Sequence, residues 1–106
     1  MLTEKGTLPI GVEYDGKTHK DFEIREQLVA DSIAIYDDPD RAGRAVRNHA
    51  YAGVCLLAGQ IVSLGEIPKE ALTPELIMGM HDDDFEEIKA ADKRLTERRN
   101  SFRDGR

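Results

Sequence analysis

The sequence is poor in the residues that catalysis, zinc binding and disulfide frameworks require. Among its 106 residues are one cysteine, three histidines and no tryptophan. A single cysteine excludes a disulfide framework and a cysteine pair for zinc, and it favours a reducing cytoplasm. His49 and Cys55 are six residues apart on one predicted helix, so they lie on different faces and cannot form a catalytic pair there. We therefore expect a protein that is not an enzyme.

A long apolar run and an excess of positive charge are also missing. No segment reaches the roughly 20 apolar residues that cross a membrane, and the first residues lack the apolar core of a signal peptide. The formal net charge of −6 argues against a nucleic-acid backbone as the main partner. The glycines follow no phosphate-loop pattern. We expect a soluble, intracellular protein with no cofactor and with neither membrane nor nucleic acid as its partner.

Two charged clusters have alternative interpretations. The acidic run from His81 to Glu87 could attract a divalent cation, but it lacks the spacing of a calcium loop, and helix capping explains the same residues. No metal site is predicted. A basic strip could dock an acidic partner or a phosphate, although a solvated helix face is the simpler explanation. The strip consists of Arg41, Arg44, Arg47 and Asn48.

The N-terminal part of the chain has the pattern of a β-hairpin. Apolar residues alternate with polar or small ones from Leu8 to Tyr14, and a turn follows at residues 15–16. A two-residue turn would leave Phe22 and Ile24 on the opposite face from the apolar residues of the first strand. A three-residue loop over 14–16 brings all of them to one face, and we predict this register. It pairs Val12 with Thr18, Ile10 with Lys20 and Leu8 with Phe22.

Residues 26–36 predict the first helix. One helical face would carry Leu28, Val29, Ser32, Ile33 and Tyr36. The β-branched residues leave a third strand open as the alternative.

The segment from Pro39 to Leu64 predicts one long central helix. Asp38 can cap its first turn, Pro39 suits the first helical position, and Gly65 suits the left-handed residue after a helix. One apolar stripe along this helix should face the core of the protein. It consists of Ala42, Ala45, Val46, His49, Ala50, Gly53, Leu56, Leu57, Gln60, Ile61 and Leu64.

A second apolar strip runs along the opposite side of the predicted long helix. It consists of Tyr51, Val54, Cys55, Ala58 and Val62. A helix that is apolar all round is normally buried all round, and one of about 39 Å would cross a domain whose radius of gyration is about 13 Å. We therefore expect the strip to contact a partner chain or a second copy in a homo-oligomer. The alternative is that the remaining helices wrap it.

The rest of the sequence predicts a short helix and a final helix. A loop over 68–72 leads to Thr73-Pro74, which suits the cap and first residue of a short helix. Aspartates 82–84 open a final helix with apolar residues at helical spacing. The predicted fold is α+β and mostly helical, a hairpin followed by three to four helices. One domain should cover residues 7–99, with flexible ends at 1–6 and 100–106.

Two groups of segments carry a resemblance to a known family. The N-terminal group is Thr7-Leu8-Pro9-Ile10, Tyr14-Asp15-Gly16-Lys17 and Phe22-Glu23-Ile24-Arg25. The C-terminal group is Leu64-Gly65-Glu66-Ile67-Pro68, Leu72-Thr73-Pro74-Glu75-Leu76 and Asp84-Phe85-Glu86-Glu87-Ile88. With these packing and capping residues the chain resembles the tail assembly chaperones of Mu-like phages and prophages, the E/41/14-type phage tail assembly proteins.

The resemblance implies a non-catalytic function in the cytoplasm of a bacterial host. Proteins of this family bind the tape measure protein, keep it soluble and help the tail tube protein polymerise around it. Helix-in-groove contacts could provide such binding. Two alternatives stay open at this point. One is a structural or adaptor subunit of the phage tail, and the other is a small nucleic-acid-associated regulatory protein that acts through its arginines.

Overall fold

The computed structural model describes residues 1–103, which form a three-stranded antiparallel sheet and five α-helices. The elements are β1 (Thr3–Tyr14), β2 (Lys17–Arg25), α1 (Val29–Asp37), α2 (Ala42–Arg47), α3 (His49–Gln60), β3 (Ile61–Leu64), a 3₁₀ turn (Lys69–Ala71), α4 (Pro74–Met78) and α5 (Asp82–Arg103). The strand order is β1-β2-β3. The predicted α+β class and N-terminal hairpin are confirmed, while the described chain has more helices than the three to four expected.

The hairpin turn contains two residues, so the predicted three-residue loop is wrong. Asp15 and Gly16 both have positive φ, at 52° and 76°, which is the backbone of a type I′ turn. Tyr14 therefore pairs with Lys17, and Val12 pairs with His19. This is the register that the apolar pattern argued against.

A bulge in β1 resolves the conflict between the turn and the apolar pattern. Thr7 pairs with Asp21 and Val12 pairs with His19, so four residues of β1 stand opposite Lys20 alone. In this stretch β1 has three residues more than β2. Because three is an odd number, the insertion moves the following side chains to the other face of the strand. As a result His19, Phe22 and Ile24 are all buried on the same side as Leu8 and Val12. Gly11 has φ +101° in this bulge, and a side chain there would collide with Thr18 and Lys20.

Residues 3–6 and 100–103, which the sequence placed in flexible ends, belong to a strand and a helix. Residues 3–6, which were expected to be flexible, pair with residues 22–25 of β2. Glu4 accepts hydrogen bonds from Arg94 Nε at 3.0 Å and Arg98 Nη1 at 2.6 Å, and these guanidinium groups lower the pKa of its carboxyl. Helix α5 continues through residues 100–103, so that part of the predicted flexible end is helical. Residues 104–106 lie outside the described residues.

The predicted long helix is wrong, because the segment 39–64 contains two helices and a strand. Asn48 has φ −141° and ψ 102°, and its side-chain oxygen accepts a hydrogen bond from the Tyr51 amide at 3.1 Å. Asparagine favours this capping conformation over a helix interior, so α2 ends and α3 begins there. Residues 61–64 leave the helix to pair with β2 as the third strand. Gly65 is left-handed as predicted, with φ +53°, but it follows this strand rather than a helix.

The predictions for α1 and α4 are confirmed. Residues 29–37 are helical rather than a strand, and Thr73 Oγ1 accepts a hydrogen bond from the Leu76 amide at 3.3 Å, with Pro74 as the first helical residue.

Two apolar clusters hold the elements together. The larger cluster joins the sheet, the second half of α3, α4 and α5. The smaller cluster lies among α1, α2 and the first half of α3, and its buried members are Ile35, Ala45, Tyr51 and Cys55.

Candidate functional site

The apolar strip predicted to contact a partner is mostly covered by the protein's own helices. Tyr51, Cys55 and Ala58 are buried and Val54 is half-buried, whereas Val62 is 39 % exposed on β3. Tyr51 and Cys55 belong to the smaller cluster, because α1 and α2 pack over this side of α3. The expectation that the strip lies uncovered is therefore wrong for its buried members. For these buried residues the alternative is correct, because other helices of the same chain cover them.

The predicted core stripe is partly exposed. Ala45, Leu57, Gln60, Ile61 and Leu64 are buried as expected. Val46 is 69 % exposed, and the next three positions of the stripe, at residues 49, 50 and 53, are exposed as well. The break at Asn48 changes the direction of the helix, so one helical period cannot describe both halves.

Helix α1 directs one of its two acidic side chains, Asp31, inward. The Asp31 carboxylate accepts hydrogen bonds from both terminal nitrogens of Arg25, at 2.8 and 2.9 Å, and from the Leu28 amide at 2.7 Å. Arg25 Nη2 also donates to the carbonyl of Gly59 on α3 at 2.7 Å. The Arg25 hydrogen bonds lower the pKa of Asp31. These contacts fix the rotation of α1 against β2 and α3.

The same rotation exposes apolar side chains on the opposite face of α1. Val29, Ile33 and Tyr36 are 82 %, 55 % and 51 % exposed, and Leu28 beside them is also exposed. Their spacing of i, i+4 and i+7 places Val29, Ile33 and Tyr36 along one line on the helix. Leu28, Val29, Ile33 and Tyr36 are here named the α1 stripe. A helix with its apolar face toward solvent is the reverse of the usual surface helix and marks an interaction surface.

Four of the five residues predicted to share a face of the first helix form the α1 stripe, and the fifth, Ser32, is half-buried, but the sequence did not show that this face is turned to solvent. Periodicity identifies which residues share a face, and it normally assigns the apolar face to the core. Here the Arg25–Asp31 pair and Ile35 occupy the inward face instead. The only signal in the sequence was Asp31, a carboxylate on the side of α1 opposite the apolar residues.

The charges beside the α1 stripe are negative. Asp37 ends the helix and Asp40 follows it, and both are exposed. Asp38 accepts a hydrogen bond from Arg41 at 2.6 Å, and Arg41 also bonds to Glu75 on α4. The last turn of α1 has no basic residue. The surface is therefore an apolar strip with an acidic end.

A cleft of about 290 Å³ lies between α1, α3 and the turn before α4. Its lining includes Ile35, Cys55, Leu72 and Thr73. Burial raises the pKa of the Cys55 thiol, which keeps the sulfur protonated at neutral pH. A nucleophilic cysteine requires the opposite shift, so this thiol fits a structural position in the smaller cluster.

One residue of the acidic run at the start of α5 is used inside the protein, while Asp82, Asp83 and Glu86 are exposed. Asp84 is fully buried, and its carboxylate accepts hydrogen bonds from the amides of Ile10 at 2.8 Å and Gly11 at 2.9 Å. Within residues 1–103, no three His, Cys, Asp or Glu side chains are placed to hold a metal ion together. None of the helices in that range combines the length and the apolar character that crossing a membrane demands.

The residues of the basic strip lie in two environments: two arginines contact other side chains, and the other two residues are exposed. Arg41 is engaged by Asp38 and Glu75, whereas the Arg44 guanidinium lies 4.3 Å from the centre of the Tyr51 ring. Arg47 and Asn48 are exposed. Two of the arginines thus stabilise α2 against its neighbours, which leaves a smaller basic surface than the sequence suggested.

The exposed face of α1 is accordingly the candidate functional surface.

No protein-family model, curated protein or solved structure matches the chain.

Proposed function

We propose that the protein is a non-catalytic tail assembly chaperone that binds an amphipathic helix of the tape measure protein in the bacterial cytoplasm. The observation that carries this proposal is the α1 stripe, an apolar helix face turned to solvent. The resemblance of the hairpin and closing segments to Mu-like phage proteins supports the identity of the partner. Assembly of the tail tube protein around the tape measure would follow this binding step.

The α1 stripe has the dimensions of a helix-binding surface. Val29 and Tyr36 are seven residues apart, which is about 10.5 Å along the helix axis and matches two turns of a partner helix. Covering the three most exposed side chains would contribute on the order of 5 kcal/mol before the costs of association. Association itself costs about 4 to 15 kcal/mol, so these three side chains alone give only weak, reversible binding, and a stable complex requires further contacts around the stripe.

The acidic end of the surface indicates the charge of the partner. Asp37 and Asp40 are exposed next to the stripe, and neither belongs to an ion pair among the described residues. A partner helix with lysine or arginine beside its apolar face would complement them. Because these charges are exposed, they should affect the association rate and the salt dependence more than the affinity.

Binding can be tested by expressing the protein with overlapping fragments of the tape measure protein encoded nearby and measuring copurification. We expect one or more helical fragments to copurify, and Ile33→Asp to weaken binding at least about tenfold, because it places a charge in the apolar contact. Val46→Asp is the matched control, since Val46 is also an exposed β-branched residue, at 69 % against 55 % for Ile33, but lies on α2. Failure of every fragment to bind the unmodified protein would reject the proposed function.

A further inference from the structure

We propose that, in the absence of its partner, the protein pairs with a second copy through the α1 stripe, with the two α1 helices antiparallel. The role of this pairing rests on the proposed function, because a second copy would cover the surface that the partner helix later occupies. The pairing itself depends only on the shape and charge of α1.

The α1 stripe is self-complementary under twofold symmetry. Ile33 lies about 6 Å along the axis from Val29 and about 4.5 Å from Tyr36, close to the midpoint of the stripe. A twofold axis near Ile33 places Ile33 against its equivalent and Val29 against Tyr36 of the other copy. Such an isologous contact closes on itself, so it produces a dimer rather than a filament.

The charges of α1 favour the antiparallel arrangement. Its last residue is Asp37, its last turn has no basic residue, and its N-cap position is Leu28, whose side chain cannot accept a hydrogen bond from the first amides. Negative charge at a helix C-terminus is unfavourable, and it is favourable near a helix N-terminus. Antiparallel pairing brings each Asp37 to the N-terminus of the other α1, whereas parallel pairing brings the two Asp37 side chains together.

The size of the surface indicates a weak dimer. Helix α1 has nine residues and is about 13 Å long, so it offers much less than the roughly 800 Å² per partner of a standard stable interface. We therefore expect association that depends on protein concentration and that a longer partner helix can displace. Such a dimer would protect the apolar side chains without competing strongly with the assembly reaction.

Sedimentation equilibrium of the pure protein tests the dimer. We expect the average mass to rise from monomer toward dimer with concentration, and Ile33→Asp to raise the dissociation constant at least about tenfold. Phe102→Asp is the control, because Phe102 is 66 % exposed on α5 outside the α1 stripe. A monomer at all concentrations would overturn the proposal, as would a dimer that Ile33→Asp leaves intact.

Cysteine crosslinking tests the direction of the helices. Oxidation of Ile33→Cys should give a disulfide-linked dimer, because the two positions meet at the twofold axis. Val29→Cys should crosslink to itself far more slowly, since antiparallel pairing separates these positions by about 10 Å. The unmodified protein, with Cys55 buried, is the control and should not crosslink. Equal crosslinking of both variants would rule out the antiparallel dimer.

These measurements are independent of the tape measure experiment. A pure protein that stays monomeric but binds a tape measure fragment would reject the dimer and support the chaperone. A protein that forms the dimer but binds no fragment would reject the chaperone and leave α1 as a self-association surface.

Discussion

At the residue scale, Asp84 connects the start of α5 to β1. Its position in a run of three aspartates indicates a helix N-terminus, where acidic residues are common. In the structure its neighbour Asp83 is exposed, while Asp84 is fully buried against the β1 bulge. The amides of Ile10 and Gly11, which donate to this carboxylate, lie in the bulged stretch that the ladder with β2 leaves unpaired. The carboxylate therefore stabilises a bulge some 73 residues away in sequence.

Asp84→Asn should lower the free energy of unfolding by about 1.5 to 3 kcal/mol, because the amide nitrogen replaces one acceptor of a charge-assisted hydrogen bond. Urea unfolding followed by circular dichroism measures the change. Asp83→Asn is the matched control and should alter the free energy of unfolding by no more than about 0.5 kcal/mol. Equal effects of the two variants would show that the bulge does not depend on Asp84.

Cys55 should react slowly with thiol reagents in the folded protein. Its side chain is buried and its burial raises the thiol pKa, so both access and the thiolate fraction are low. Reaction with a chromogenic disulfide at pH 8 should be much slower in buffer than in concentrated urea. Fast reaction in buffer would contradict the burial of Cys55 beneath α1 and α2.

At the scale of elements, the orientation of α1 depends on the ion pair between Arg25 and Asp31. Asp31 has a lower pKa in the folded protein than in the unfolded chain because of its hydrogen bonds with Arg25. The unfolded chain therefore binds a proton at higher pH. The stabilisation is complete above the unfolded pKa of about 3.9 and is lost as the pH falls through the folded pKa.

Asp31→Asn should cost about 2 kcal/mol of unfolding free energy at pH 7, and the cost should shrink as the pH falls below about 4. Urea unfolding of both proteins across this pH range measures the difference. Asp37→Asn is a suitable control, because Asp37 lies on the same helix and is exposed. A cost that did not change with pH would contradict a charge-dependent role for Asp31.

The sequence predicted the types of most elements and missed where several of them join. Turn and cap residues act locally, so the Asp15-Gly16 turn and the Thr73-Pro74 start of α4 were located correctly. The bulge in β1 is bonded to Asp84, which is distant in sequence, so the local pattern of the two strands predicted the wrong hairpin register. The long helix was predicted for two reasons. Asparagine, here Asn48, is tolerated in helices, and the mostly apolar residues 61–64 fit either a helix or a strand. Only pairing with β2 makes those four residues a strand.

At the scale of the whole molecule, two apolar clusters of unequal size stabilise the fold. The larger contains fourteen buried residues, and the smaller contains four. Gln60 is buried at the end of α3, and its side-chain nitrogen donates to the Arg25 carbonyl on β2 and to Asp92 on α5, both at 3.0 Å. The candidate binding helix α1 belongs to the smaller cluster. Binding elements often occupy such less stable regions.

Amide hydrogen exchange should therefore be faster in α1 and α2 than in β2 and α5. Few buried side chains hold α1 and α2, so these helices can open without unfolding the sheet. Native-state exchange followed by mass spectrometry or NMR measures the protection of each element. Equal protection throughout residues 1–103 would show that the two clusters unfold as one unit.

The candidate site could be predicted less well than the fold. Periodicity correctly grouped the residues of the α1 stripe, but the face chosen from the sequence as partner-binding was that of α3. Tyr51 and Cys55 belong to the smaller cluster because α1 lies over them, and the packing of one helix on another is not visible in either helix alone. The inward Arg25–Asp31 pair decided which apolar face was left exposed.

The long separation between Asp84 and the β1 bulge has a consequence for synthesis on the ribosome. The first strand is made early, yet the carboxylate that accepts its bulged amides, and Arg94 and Arg98 that bind Glu4, come only with α5. Until α5 emerges, the sheet lacks its largest packing partner, and the nascent hairpin exposes Phe22 and Ile24. Between the synthesis of β2 and that of α5, the nascent chain is therefore an incompletely packed intermediate with exposed apolar side chains, in a protein proposed to protect another chain from aggregation.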